Sequence, residues 1–111
     1  MKEVTFNDFA KLDIRVGQIK KVEIFEELNK PAYKLWVDFG GEIGIKKSSA
    51  QLCELYSKND LISKYVLGVV NFPEKQIKNF MSEVLILGIY TDSGVSLIVP
   101  DKNVKKGDKL G

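Results

Sequence analysis

The segment Asn71–Leu85, NFPEKQIKNFMSEVL, concentrates the side chains of this chain that are best suited to binding. Its apolar and cationic candidates are Phe72, Lys75, Ile77, Lys78 and Phe80. Pro73 stiffens the turn that precedes them. A stiff apolar patch with a cationic rim suits single-stranded nucleic acid, through stacking and phosphate contacts, or an unfolded polypeptide, through apolar pockets and lysine stems. The residues alone leave both ligands open, and they also leave open that Phe72 or Phe80 is a core residue.

The rest of the chain lacks the residue types and motifs that most enzymes use for catalysis. There is no histidine, so the commonest general base, the Ser-His arrangements and the usual zinc ligands are missing. Cys53 is the only cysteine and reads as a half-buried structural thiol. The stretch FGGEIG lacks the lysine and the helix of a phosphate-binding loop and predicts a hairpin turn. We therefore expect no enzyme, no metal and no cofactor.

Length and composition set the class of protein. The chain has 111 residues, of which 44% are hydrophobic, which suits one domain over residues 1–111 with a sizeable core. The start, MKEVTFNDFAKL, lacks the apolar region of a signal peptide. No apolar run approaches the roughly 20 residues of a membrane span. We expect a cytoplasmic protein without a membrane partner.

Positive charge is concentrated in the middle of the chain. Residues 43–81 carry six lysines and three acids, a net +3, whereas the remainder has 11 basic and 12 acidic residues, a net −1. The distribution favours a mild positive patch on one side, although a merely solvated lysine surface is an equal alternative.

The elements that must position these residues are mostly strands. A short helix around Phe6–Ala10 has Thr5 or Asn7 as its cap, and a long first strand has its alternation interrupted at Gly17, which predicts a bulge there. A second strand follows, whose inward residues are Leu35, Val37 and Phe39. A third strand leads to a helix that begins at Ser48, where Ser48 and Gln51 fit a capping box.

Two or three further strands follow that helix. Lys47 and Ser48 would lie where the third strand enters the helix, as binding residues or simply as a capped helix end with solvated lysines. The order predicts an all-β fold, an OB-fold Greek-key barrel of about five strands with one helix between strands three and four, a short N-terminal helix and a C-terminal extension. In such a barrel Asn71–Leu85 joins the fourth and fifth strands and rims the ligand-binding face.

Two late segments are apolar on both faces, Val84–Ile89 and Val95–Val99. A small barrel buries only its inner face, so we expect a second subunit to cover the outer one and predict a homodimer. Trp36 points outward on the second strand. It leaves three interpretations open: a place under the subunit interface, a ligand platform, or a plainly exposed ring.

Three stretches, DFAKLDIRVGQI, KLWVDFG and NFPEKQIKNFMSEVLIL, resemble the tRNA-binding domain family of OB-folds. That family includes the appended domains of methionyl- and phenylalanyl-tRNA synthetases. Within it, IGIKKSSAQL, VVNFP and SEVLILG are similar to the export-related chaperones of the family. The resemblance implies a homodimer that binds unfolded or presecretory polypeptides without ATP, with Lys47 contributing charge beside Lys75 and Lys78.

The resemblance also implies an alternative, a tRNA or single-stranded nucleic-acid binding module that uses Asn71, Lys75, Lys78 and Ser82. The tRNA-binding relatives carry an Asn-Leu turn and a K-I-R-G-x-x-S-x-G-M run, which Asn71, Ile77 and Ser82 match. Lys78 replaces the arginine without its planar fork, and Glu83 adds a negative charge. These departures favour the chaperone.

Overall fold

A computed structural model describes all residues of the chain, 1–111, as a β-structure with two short helices. The elements in chain order are α1 Phe6–Ala10, β1 Ile14–Ile24, β2 Tyr33–Asp38, β3 Ile45–Ala50, α2 Lys58–Leu61, β4 Tyr65–Val69, β5 Lys75–Ile77, β6 Phe80–Ser82, β7 Leu85–Ile86, β8 Gly88–Thr91 and β9 Gly94–Leu97. The predicted short N-terminal helix is confirmed, with Thr5 as its cap in a capping box with Asp8.

Five strands form a curled antiparallel sheet in the order β3-β2-β1-β4-β7. The sheet nearly closes on itself, because the backbone N–H groups of Glu83 and Val84, just before β7, donate to the carbonyl oxygen of Lys47 on β3. A small antiparallel barrel with α2 between its third and fourth strands is the predicted OB-fold, which is thereby confirmed.

The barrel interior is filled by the inward face of β2. Leu35, Val37 and Phe39 are fully buried, as their alternation with polar neighbours predicts. Two glycines let the Phe39 ring lie against the sheet: a Cβ at Gly17 would approach the ring to 2.8 Å and one at Gly68 to 2.9 Å. These glycines serve close packing rather than turns.

The bulge in the first strand lies at Lys20, beyond the predicted position at Gly17. The register of β1 against β2 shifts between Ile19 and Lys21, and not at Gly17. Gly17 breaks the apolar alternation for a different reason, since a side chain there would collide with Val37 at 2.6 Å. The break in the pattern was correctly detected, but its cause was wrongly assigned.

The helix predicted to begin at Ser48 is wrong. Ser48 pairs with Leu35 inside β3 and is 1% exposed. The helix that exists is the single turn α2, capped by Ser57, whose side chain accepts from the N–H of Asp60 while the Asp60 carboxylate accepts from the N–H of Ser57. The same capping signature therefore occurs nine residues later, where no neighbouring strand competes for the backbone.

The last apolar segments form two pieces rather than one long strand. β7 completes the barrel beside β4, and β8 and β9 form a separate two-stranded ribbon. Leu97 on β9 is buried against the barrel, whereas every residue of β8 is exposed. Tyr90 is 92% exposed, so the ribbon presents an apolar outer side.

The C-terminal extension returns to the first strand. The N–H groups of Gly107 and Leu110 donate to the carbonyl oxygens of Val16 and Ile14, and the N–H of Val16 donates to Asp108. This segment takes the edge of β1 that β2 leaves unpaired. Neither helix is long enough to cross a membrane.

Candidate functional site

The segment Lys75–Ser82 forms a β-hairpin of two short strands, whereas the sequence predicted only a stiff turn. Strand β5 pairs with β6 in the register Lys75–Ser82, Gln76–Met81 and Ile77–Phe80. The two tip residues are Lys78 and Asn79, and Lys78 has a φ of +55°, in the left-handed region that favours glycine or asparagine. The tip thus holds a cation in a conformation that costs free energy.

The hairpin packs onto the barrel through a second, small apolar cluster. This aromatic cluster consists of Phe25, Leu28, Ala32, Trp36, Ile77 and Phe80. Phe80 is 5% exposed, and its ring meets Phe25 at 5.5 Å and Trp36 at 5.7 Å, both edge to face. Trp36 is therefore half-covered by the chain's own hairpin, so it is not a plainly exposed ring.

Three lysines cover the aromatic cluster from the strands around it. The Lys34 ammonium lies 4.8 Å from the Phe25 ring centre, Lys21 lies 4.6 Å from Trp36 and Lys47 lies 5.3 Å from Phe80. A cation over an aromatic face is attracted by the ring quadrupole. The cluster therefore has a positive rim.

The tip of the hairpin is joined to the loop between β1 and β2 by one polar contact. The Asn79 amide donates to a Glu27 carboxylate oxygen at 3.0 Å, and the other Glu27 oxygen lies 3.8 Å from the Lys34 ammonium. A backbone N–H within its own residue and then Asn79 lower the pKa of the Glu27 carboxyl. The carboxylate stays charged and keeps this contact at neutral pH.

The C-terminal end of the hairpin is hydrogen-bonded to β3. The Glu83 carboxylate accepts from the N–H of Lys47 at 3.0 Å, and Ser82 Oγ accepts from the N–H of Ser49 at 3.2 Å. Glu83 and Ser82 thus satisfy the edge of β3, which would otherwise be open. The Glu83 carboxylate is therefore used in a hydrogen bond within the protein.

The N-terminal end of the hairpin is fixed to the start of β1 by the side chain of Asn71. Its amide oxygen accepts from the N–H of Asp13 at 2.9 Å, and its amide nitrogen donates to the carbonyl of Lys11 at 2.8 Å. Both polar functions of the side chain are therefore used inside the protein, and Asn71 joins the end of β4 to the start of β1.

The nine predicted site residues divide into three groups. Four of them hold the fold together: Ser48, Asn71, Phe80 and Ser82. Three lie on the surface, Phe72, Lys75 and Lys78, and two are half-buried, Lys47 and Ile77. The segment therefore brings charge and one aromatic ring to the surface, and its second phenylalanine belongs to the aromatic cluster.

A shallow pocket of about 190 Å³ opens beside the hairpin. Phe72, Pro73 and Lys75 form one wall, and Glu83–Leu85 form the other. Phe72 is 43% exposed and Leu85 is similarly open. The pocket can receive one apolar side chain next to a cation.

Sequence reasoning missed Glu27, Lys34 and Lys21 as parts of this region. Glu27 stands in a polar turn and resembles any solvated acid, because its partner Asn79 is 52 residues away. The three-strand register that places Lys21, Trp36 and Lys47 side by side is the signal that a correct pairing of β1, β2 and β3 would have supplied.

A second, larger groove of about 380 Å³ lies on the other side of β7, against the ribbon β8–β9. Most of its lining is apolar, including Leu52, Leu87, Val95 and the exposed Tyr90. This groove and the outer side of the ribbon together form an open apolar region on the late strands.

Comparison with known proteins identifies the family. The sequence pattern described as "Putative tRNA binding domain" matches residues 14–109. The methionine–tRNA ligase of Thermococcus onnurineus is 36% identical over 107 residues, 96% of this chain. The chain spans only 14% of the length of that enzyme.

Two solved structures are similar over their whole length. The CsaA chaperone protein of Picrophilus torridus has a TM-score of 0.93 and 55% identity, covering 98% of this chain and 100% of that one. The chaperone CsaA of Bacillus anthracis has a TM-score of 0.92 and 40% identity, covering 99% and 100%. The chain therefore belongs to the tRNA-binding domain family, as a CsaA-like member.

Proposed function

We propose that the protein is an ATP-independent chaperone of the cytoplasm that binds unfolded or presecretory polypeptides beside hairpin β5–β6. The observation that carries this proposal is the pocket of about 190 Å³ in which Phe72 and Leu85 offer apolar surface next to Lys75. Similarity to two CsaA chaperones along the whole chain supports it. The chemistry is binding alone, without a catalytic step.

The ligand chemistry follows from the composition of the pocket. Phe72 and Leu85 gain free energy by burying apolar side chains of an extended segment, at about 25 cal/mol per Å². Lys75 in the pocket and Lys78 at the tip of the hairpin add attraction for acidic or backbone oxygen atoms, and this attraction weakens with salt. A ligand with frequent apolar residues and no fixed structure meets both requirements.

A second candidate function is binding of tRNA or single-stranded nucleic acid. The match of residues 14–109 to a tRNA-binding domain favours it. The internal hydrogen bonds of Asn71 and Ser82 and the carboxylate of Glu83 weigh against it, because two would-be RNA contacts are already used and a negative charge stands beside them.

Binding of an unfolded polypeptide and of tRNA at two salt concentrations tests the choice. Replacement Phe72→Ala should weaken polypeptide binding by about 1–3 kcal/mol at either salt concentration, because apolar burial is poorly screened. The double replacement Lys75→Ala and Lys78→Ala should matter less, and mainly at low salt. Phe6→Ala, an exposed phenylalanine on α1, is the matched control.

The opposite ranking would assign the site to nucleic acid. In that case the lysine pair should lose most tRNA affinity and reduce the salt slope by roughly two counterions, whereas Phe72→Ala should have the smaller effect. Full-strength polypeptide binding by a folded Phe72→Ala protein would refute the pocket.

We also propose a homodimer, formed through the apolar outer side of β8–β9 and the groove beside it. Ile89 is 55% exposed and Tyr90 92% exposed there. Apolar surfaces of this kind are rare on monomers and typical of subunit contacts.

A further inference from the structure

The apolar surface open at the candidate site is small for its proposed ligand. Phe72 and Leu85 line a pocket for one side chain, whereas an unfolded segment presents several apolar residues in succession. A larger aromatic surface lies directly beside the pocket, but the hairpin itself covers it. Phe25, Trp36 and Phe80 meet there, edge to face.

The two ends of the hairpin are attached to the barrel differently from the two strands between them. Both ends are fixed by hydrogen bonds, through Asn71 before β5 and through Ser82 and Glu83 at the end of β6. Between them, β5 and β6 pair only with each other and form no ladder with the barrel sheet.

The body of the hairpin is held mainly by side chains. Ile77 and Phe80 pack on the aromatic cluster, β6 lies against β3, and Asn79 donates one exposed hydrogen bond to Glu27. The aromatic cluster is separate from the main core, so moving the hairpin leaves the barrel interior intact.

We propose that hairpin β5–β6 is a movable cover, and that unfolded polypeptide binds mainly to the aromatic cluster that becomes accessible when the cover lifts. Lifting exposes the rings of Phe25, Trp36 and Phe80, rimmed by Lys34 and Lys47, with Phe72 at the edge. The inference rests on the proposed chaperone function and adds where the ligand binds and what controls access.

Such a cover answers a physical requirement of a chaperone that uses no ATP. A permanently exposed aromatic surface favours self-association. A surface that is open in only a fraction of molecules binds its ligand with an affinity reduced by that fraction, and any change that favours the open state tightens binding.

The replacement Asn79→Ala tests the control of access, because it removes the tip hydrogen bond and no buried group. We expect binding of reduced, carboxymethylated ribonuclease A, an unfolded chain without tryptophan, to tighten about threefold to tenfold, the size of one net hydrogen bond. Asn103→Ala, an exposed asparagine in the C-terminal segment, is the matched control and should leave the affinity unchanged.

Trp36 reports on the cover directly, since it is the only tryptophan of the chain. Without ligand, Asn79→Ala should make its fluorescence more accessible to acrylamide. Closing the hairpin should do the reverse. For this, Glu27→Cys and Asn79→Cys, in a Cys53→Ser background, are bridged by a short bifunctional methanethiosulfonate that a reductant releases.

The bridged protein should lose most of its binding and regain it when the bridge is reduced, so that one molecule serves as its own folding control. Equal affinity of bridged and released protein, or an unchanged affinity of Asn79→Ala, overturns the inference while polypeptide binding itself stands. Absence of binding by the wild-type chain instead overturns the proposed function, whatever the tryptophan measurement gives.

Discussion

Lys78 combines two properties that a pair of substitutions separates. Its side chain is exposed at the tip of the hairpin, and its backbone is left-handed, a conformation that costs a lysine more than a glycine.

Replacement Lys78→Gly should therefore give a more stable protein than Lys78→Ala by about 1 kcal/mol, because only glycine relieves the backbone. Urea denaturation measures the difference. Both replacements remove the charge and should weaken low-salt ligand binding equally. A glycine variant no more stable than the alanine variant would contradict the strained tip.

Asn71 is a structural residue by the geometry of its amide. Replacement Asn71→Ala removes the hydrogen bonds to Asp13 and Lys11 and should lower the free energy of unfolding by about 1–2 kcal/mol. At a temperature where the variant is folded, its binding of polypeptide and of tRNA should match the wild type. A variant of normal stability that fails to bind tRNA would show that Asn71 is a ligand-binding residue.

Residue types predicted the surface better than the interior of the candidate site. Lysines and a phenylalanine beside a proline indicated exposed groups, and Phe72, Lys75 and Lys78 are exposed. Phe80 and Asn71 could not be assigned in this way. Their partners, such as Trp36 and Asp13, are distant in the chain, and local pattern carries no information about them.

At the scale of elements, hydrophobic alternation identified the strands and failed where backbone pairing overrode a local signature. Ser48 and Gln51 have the residue types of a helix start, but Ser48 lies in β3 because pairing with β2 buries it against the core. The hairpin β5–β6 was missed because its strands have three residues each and its turn lacks glycine.

The C-terminal segment is held to the barrel by carboxylates, which gives it a pH dependence. The Arg15 guanidinium lowers the pKa of Asp13 and also donates to the carbonyl of Gly107. The N–H of Gly40, followed by Lys106, lowers the pKa of Asp38, and the Lys106 ammonium lies 3.2 Å from it. Carboxyl groups with lowered pKa values stabilise the folded state above their ordinary value of 3.8 and lose that effect as the pH falls through the lowered values.

The amides of Gly107 and Leu110 should therefore lose protection from hydrogen exchange as the pH falls below about 4, ahead of the amides of β2. Exchange measured residue by residue checks this, with protection factors corrected for the intrinsic pH effect. Replacement Asp13→Asn should produce part of the loss at neutral pH. Equal protection of both regions at low pH would show that the carboxylates do not hold the segment.

At the scale of the whole molecule, the barrel accounts for the buried core but leaves the outer side of β8–β9 uncovered. Tyr90 is 92% exposed, and Ile89 and Val99 are also open. A region of this kind is unexpected for a monomer, and the proposed homodimer would bury it.

Light scattering over a dilution series should give about twice the 12.5 kDa chain mass, with little dependence on salt because the contact is apolar. The double replacement Ile89→Lys and Tyr90→Lys should shift the mass toward the single chain without unfolding it, since both side chains are exposed. A wild-type protein that stays near 12.5 kDa at high concentration would rule out the dimer.

The return of the C-terminal segment to β1 has a consequence for biosynthesis. The N–H of Leu110 donates to the carbonyl of Ile14, so the first strand receives its last partner only from residues that are translated long after it. Until those residues leave the ribosome, this edge of β1 is unpaired and open to other extended chains. A protein proposed to bind nascent-like polypeptides therefore passes through a state in which it resembles its own clients.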